Sequence, residues 1–141
     1  MFCYQCEQTA KGTGCTAFGV CGKDPDTAAL QDLLVHATKG VSWYAARAAR
    51  LGAQNPDIDV FVIEALFTTV TNVNFDATRV ADFVRKAVEV RHLAADLYLA
   101  AAEAAGVTPD VATGPATFTP AASNDDLVRQ GEAVSPGARI D

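Results

Sequence analysis

Four cysteines, Cys3, Cys6, Cys15 and Cys21, stand at the start of the chain, and none occurs in the 120 residues that follow. Two residues separate the first pair, eight separate Cys6 from Cys15, and five separate Cys15 from Cys21. Thiolates are soft ligands, and four of them from one short segment can surround a single ion or a single small cluster. Whatever this chain folds into must leave its opening residues as a loop able to bring sulfur atoms to one point.

Four cysteines with no histidine nearby suit an all-thiolate zinc site or an all-thiolate iron–sulfur cluster. Structural zinc sites use two short knuckles, and here only Cys3-x2-Cys6 is one. The wide later gaps suit a loop wrapped around a larger object such as a cubane. Gly12, Gly14, Gly19 and Gly22 allow turns with positive φ, close approach to sulfur, and backbone N–H groups aimed at it. Phe2, Tyr4 and Phe18 are expected to screen the site from water. Disulfides are the competing reading, with three possible pairings. No secretory signal precedes Cys3, which sets that reading behind the other two.

The segment FCYQCEQTAKGTGC, followed by GVCGK and TAALQDLL, resembles the N-terminus of the hybrid cluster proteins, the prismane or hydroxylamine reductase family. EALFTTVTNVNFD and ATFTPAASNDDLVRQGEAV extend the likeness over nearly the whole chain. The resemblance implies that Cys3, Cys6, Cys15 and Cys21 hold one 4Fe–4S cubane, in the cubane-carrying form of the family's motif. It also implies reduction of hydroxylamine to ammonia, or of nitric oxide. In that family the reaction takes place at a second, mixed iron–sulfur–oxygen cluster held by cysteines, a histidine and glutamates of a far longer chain. No cysteine remains here to supply such a site, so no catalytic residue is assigned.

Composition narrows the partners. With 11 basic against 17 acidic residues the net charge is −6, which excludes the basic patch that nucleic acid requires. No run of eighteen apolar residues is present, so no membrane span is expected. A hydrophobic content of 50% is enough for a modest core. Thiols and the missing leader point to the cytoplasm. The expected partners are a redox protein as electron donor and the remaining domains of the same protein, or a second subunit.

After the cysteine loop the pattern is helical. Asp24-Pro25 reads as an N-cap with proline at the first helical position. Leu30, Leu33, Leu34, Ala37 and Val41 then recur at intervals of three and four, up to Leu51 and a stop at Gly52. Gly40 marks either close packing or a break. Cys21 lies just before this helix, whose positive end favours anionic thiolates by roughly 0.3–1 kcal/mol. Asn55-Pro56-Asp57 caps a second segment, Ile58 to Val70; its β-branched residues permit a strand, but thirteen residues favour a buried helix, ended by Asn72-Val73-Asn74. Asp76 caps the longest helix, Ala77 to Ala105, which presents Val80, Phe83, Val84, Ala87, Val88, Arg91, Leu93, Ala95, Tyr98 and Ala102 and stops at Gly106. Asp82 can pair on its surface with Arg85 and Lys86. Val107 to Ala122 is an extended connector pinned by Phe118, before a short helix capped by Ser123 or Asn124 with Leu127 and Val128 inward. The fold class is therefore all-α. Residues 1–24 form the cluster-binding loop, 25–106 an antiparallel three-helix bundle, and 107–141 a partly irregular tail ending in the linker-like SPGARID and leading to further domains.

The other chemical residues have plainer explanations. His36 and His92 lie alone on helices, and four thiolates already complete a site. Glu64, in the most apolar segment, needs a basic partner if buried. Trp43 and Tyr44 are core or interface anchors. GTGCTAFG lacks the ending of a phosphate-binding loop. Lys11 and Lys23 can offset cluster charge, although solvated loop lysines are the ordinary case. Three functions follow: the N-terminal electron-transfer module of a hydroxylamine reductase, a free-standing ferredoxin-like carrier, or a structural four-cysteine zinc domain for protein contacts. The first accounts for most of the sequence.

Overall fold

A computed structural model describes residues 1–7, 12–70 and 73–138. It contains helices α1 (Pro25–Arg50), α2 (Pro56–Thr68), α3 (Ala77–Ala105) and α4 (Asn124–Val134), with 3₁₀ turns at Gly114–Thr117 and Pro136–Ala138. No strand forms among the described residues.

Each helix begins where a side chain can satisfy its first amides. The Asp24 carboxylate accepts from the Thr27 amide at 2.7 Å, and Asp76 accepts from the Arg79 amide at 3.1 Å. Asn55 accepts from the Asp57 amide at 2.9 Å, and the Ser123 hydroxyl from the Asp126 amide at 3.1 Å. Gly106, at φ +67°, ends α3 in the left-handed conformation that glycine adopts without penalty.

Helix α1 is the axis of the molecule, packing most extensively on α3 and then on α4 and α2. Leu30, Leu33, Leu34 and Val41 of α1 meet Ile58 and Phe61 of α2 and Val80 and Val84 of α3. Leu127 of α4 is fully buried in the same core, so four helices rather than three share it. Two glycines permit this closeness. A Cβ at Gly40 would strike the carbonyl oxygen of Pro115, and one at Gly131 would strike that of Ala29. Gly40 therefore serves packing, and α1 continues unbroken through it. Between the two, Phe118 is pinned: its carbonyl accepts from the Arg91 guanidinium, and His36 meets its ring edge-on at 5.5 Å.

Helix α2 departs from expectation. Only Ile58, Phe61, Ala65 and Thr68 are buried, while Val60, Ile63 and Phe67 are exposed, the last two by more than 60%. The described residues supply a neighbour on one side alone, so the helix is half-covered rather than buried. Glu64 is likewise exposed and needs no buried partner. The helix ends at Thr68, with Thr69 as its cap; Asn72, the expected end, lies outside the described residues. Leu93 of α3 also faces outward, with Ala94 taking the buried position. Asp82 pairs with Arg85 at 3.4 Å, but the Lys86 ammonium stands over the rings of Phe61 and Phe83 instead.

Near the far end of α1, Trp43, Tyr44 and Tyr98 form an edge-on aromatic group around buried Ala48 and Ala102. Arg47 stacks on Trp43 at 3.6 Å and pairs with Asp110 at 2.8 Å, tying the start of the connector to α1. No helix among the described residues is long and apolar enough to cross a membrane.

Candidate metal centre

The cysteine segment folds onto the N-terminal end of α1. Cys3 and Cys15 exchange both backbone hydrogen bonds, Cys3 amide to Cys15 carbonyl at 2.9 Å and Cys15 amide to Cys3 carbonyl at 2.8 Å. This single antiparallel bridge joins the first and third cysteines, closing a loop that contains Cys6. Gly14, at φ +98°, makes it possible: a Cβ there would stand 2.8 Å from the Phe2 ring. Phe2 also lies against Gly137, so the 3₁₀ turn after α4 and the start of the chain meet beside the cysteines.

The Cys21 turn is closed by its neighbours. The Gly19 amide donates to the Lys23 carbonyl at 2.8 Å, and the Gly22 amide to the Gly19 carbonyl at 2.9 Å. These two amides are thus spent on the turn and are not aimed at sulfur, contrary to expectation. The role of Gly19 is space: a Cβ would stand 3.2 Å from Cys21 Sγ and 3.1 Å from the Lys23 Cβ. Gly22, at φ +95°, supplies the reversal into Lys23 and Asp24.

Cys15 is buried, whereas Cys3, Cys6 and Cys21 are half-buried, and none of the four is in a disulfide. The backbone brings Cys3 and Cys15 side by side. The side chains go no further, since no three His, Cys, Asp or Glu side chains gather into a metal-holding group among the described residues. The donor set itself, four thiols on a glycine-rich turn, fits an all-thiolate centre. Gln8, Thr9, Ala10 and Lys11 of the motif lie outside the described residues.

The aromatic screen is smaller than expected, with Phe2 half-buried but Tyr4 and Phe18 more than half exposed. His92 is exposed; His36 is half-buried on the wall of a cavity of about 280 Å³ that also touches Cys3, Gln5, Lys23 and Gln31.

Sequence reading names Lys23 as able to offset cluster charge but takes a solvated loop lysine as the ordinary case, and does not foresee the burial of this residue. It is 1% exposed rather than solvated, with Nζ donating to Gln5 Oε1 at 3.1 Å and standing 5.9 Å from the Phe75 ring centre. The residues holding Phe75 there form a polar stripe on the buried side of α1. Thr27 Oγ1, whose proton goes to Asp24, lies 3.4 Å from the Phe75 carbonyl oxygen, and Gln31 Nε2 donates to the Asn74 carbonyl at 2.8 Å. Thr27 and Gln31 share the helical interval of the leucines, a signal that a search for apolar residues alone passes over.

A helical body carrying a four-cysteine segment at its N-terminal end is the architecture reached so far. The model of the Prismane/CO dehydrogenase family matches residues 1–130, and the chain belongs to that family. Among curated relatives, the hydroxylamine reductase of Rhodospirillum rubrum is 49% identical over 140 residues, covering 99% of this chain and 26% of the relative. That of Syntrophobacter fumaroxidans is 50% identical over 134 residues, 95% of this chain and 24% of the relative. That of Geobacter sulfurreducens is 48% identical over 133 residues, 93% of this chain and 24% of the relative. The chain thus spans about a quarter of the length of the curated oxidoreductases it matches.

Proposed function

We propose that Cys3, Cys6, Cys15 and Cys21 hold one 4Fe–4S cluster, and that the chain is the N-terminal electron-transfer module of a hydroxylamine reductase. Such a cluster, when bound, supplies reversible one-electron exchange at a potential tuned by charge and hydrogen bonding around the sulfurs. The observation that supports this most directly is local. Two of the four thiols sit on one backbone bridge, a third is lodged against a glycine that leaves room for its sulfur, and none is in a disulfide.

The chain's own residues have definable tasks. The Cys3–Cys15 bridge holds the first and third cysteines side by side and closes the loop that carries Cys6. Phe2 covers Gly14 and limits water on that side. The Asp24 cap starts α1 three residues after Cys21, so the helix's positive end lies close to where anionic sulfur collects. Electrons arrive from a redox partner protein. They leave for a catalytic iron–sulfur–oxygen cluster on other domains, where hydroxylamine becomes ammonia; no cysteine after Cys21 is present to build that second centre here. The division into 1–24, 25–106 and 107–141, with α4 folded back on α1, and a reducing cytoplasmic setting belong to the same proposal.

Anaerobic purification tests the cluster. The expected product is brown, with about four irons and four acid-labile sulfides per chain. A colourless protein with one zinc would overturn it in favour of the structural-zinc reading. The second test concerns activity. A cubane closed by four cysteines leaves no open metal position for substrate. The 141-residue chain should therefore accept electrons from dithionite yet form no ammonia from hydroxylamine with a reduced viologen. Sustained turnover, abolished by serine at the cysteines, would place the substrate site within this chain.

A further inference from the structure

Lysine is almost never fully buried unless an anion accompanies it, because an uncompensated charge in a low-dielectric interior is costly. Lys23 is 1% exposed, and its ammonium meets a neutral amide oxygen, Gln5 Oε1, and the face of Phe75. None of the ion pairs found among the described residues includes it: they join Arg47 to Asp110, Arg85 to Asp82 and Arg129 to Asp126. The adjacent carboxylate, Asp24, is turned to the first turn of α1, accepting from the amide and the hydroxyl of Thr27. Asp32 lines the same cavity as Lys23, but none of the ion pairs among the described residues joins the two, so the Lys23 ammonium has no carboxylate paired with it there.

Two of the cysteines border its surroundings. Gly19 sits against both the Lys23 Cβ and Cys21 Sγ, and Cys3 lines the same cavity as Lys23. The hydrogen bond to Gln5, which stands between Cys3 and Cys6, and the Gly19 amide bonded to the Lys23 carbonyl link the first cysteine pair to the Cys21 turn. We infer that Lys23 is the buried counter-charge of the thiolate centre, a positioning residue that joins the two halves of the cysteine segment and raises the centre's reduction potential. The inference rests on the cluster reading above. Its sign follows from electrostatics: each added electron makes the centre more negative, so a fixed neighbouring cation favours the reduced form.

The test uses the full 141-residue chain, reconstituted with iron and sulfide under anaerobic conditions, as parent, Lys23→Met and Lys23→Arg. Iron and sulfide content is measured first, then the midpoint potential, with dithionite donating one electron per cluster. The Arg variant, which keeps the charge, should titrate close to the parent. The Met variant should keep its cluster but hold, at a fixed potential, a reduced-to-oxidised ratio at least tenfold lower, which is a midpoint about 59 mV more negative. A Met variant that keeps native helicity but loses its cluster, while Arg retains one, supports the same charge requirement. A Met variant that titrates with the parent overturns the inference. Loss of the cluster from both variants also overturns it, since shape rather than charge would then be the requirement. A parent that takes up no iron and sulfide defeats the cluster reading itself, before either variant matters.

Discussion

The two sides of Asp24 are ordered by different means. On the helical side, Leu30, Leu33, Leu34 and Val41 are buried to 1% exposure or less, and their burial would hold the fold under any redox condition. On the cysteine side, one backbone bridge and two glycine-dependent turns do most of the work, and three of the four cysteines remain half-buried. Apolar burial is non-directional and complete once the helices pack. Donor convergence is directional and needs its cation. The helical side is thus fixed by packing, and the cysteine side by a few backbone contacts.

Substitutions can break or sharpen that contrast. Leu33→Ala should cost the helical side about 2–5 kcal/mol, the usual range for truncating a fully buried leucine. Urea unfolding followed by circular dichroism reads it, and a loss below about 1 kcal/mol would place Leu33 outside the core. Gly131→Ala separates two expectations of opposite sign. An exposed helical glycine replaced by alanine gains about 1 kcal/mol. Here the new methyl meets the Ala29 carbonyl, so a destabilisation of about 1–3 kcal/mol is expected, as for overpacking. A gain in the same urea experiment would mean that α4 is not seated on α1.

Asp24→Ala probes the junction. Loss of the cap should cost about 1 kcal/mol and speed hydrogen exchange in the first turn of α1, leaving exchange in α3 unchanged. Cys15→Ser should shift the unfolding free energy of the helices by less than about 1 kcal/mol while abolishing iron binding. A collapse of the helical melting transition in that variant would show the two sides to be one cooperative unit.

The smallest effect is at the far end of α4. Hydrogen bonding from the Ser123 hydroxyl, helped by Arg129, holds the Asp126 carboxyl below its ordinary value. A lowered folded value contributes stability that is present above the unfolded value near about pH 4 and is lost as pH falls through the folded one. Ser123→Ala removes the largest cause, so the acid limb of the stability curve should flatten in that window; an unchanged limb in acid titration of the melting temperature would place the effect elsewhere.

The amino-acid sequence by itself determined most of the helix boundaries and the candidate donor set. Asp24, Asp76 and Ser123 were legible as caps and Gly106 as a stop because capping is a contact between residues two or three apart. The four cysteines were legible as candidate ligands because ligand chemistry resides in the side chain, whatever surrounds it. Tertiary structure alone decided the rest, since burial depends on which distant surface arrives. It left α2 half-covered, although its composition asks for a core on every side. It used Gly40 and Gly131 to admit distant carbonyls rather than to loosen α1 and α4. It drew Phe75 and Gln5 around Lys23, turning what reads as a solvated loop lysine into a buried cation beside the cysteines. Its depth comes from contacts across 18 and 52 residues of chain, beyond the reach of any local pattern.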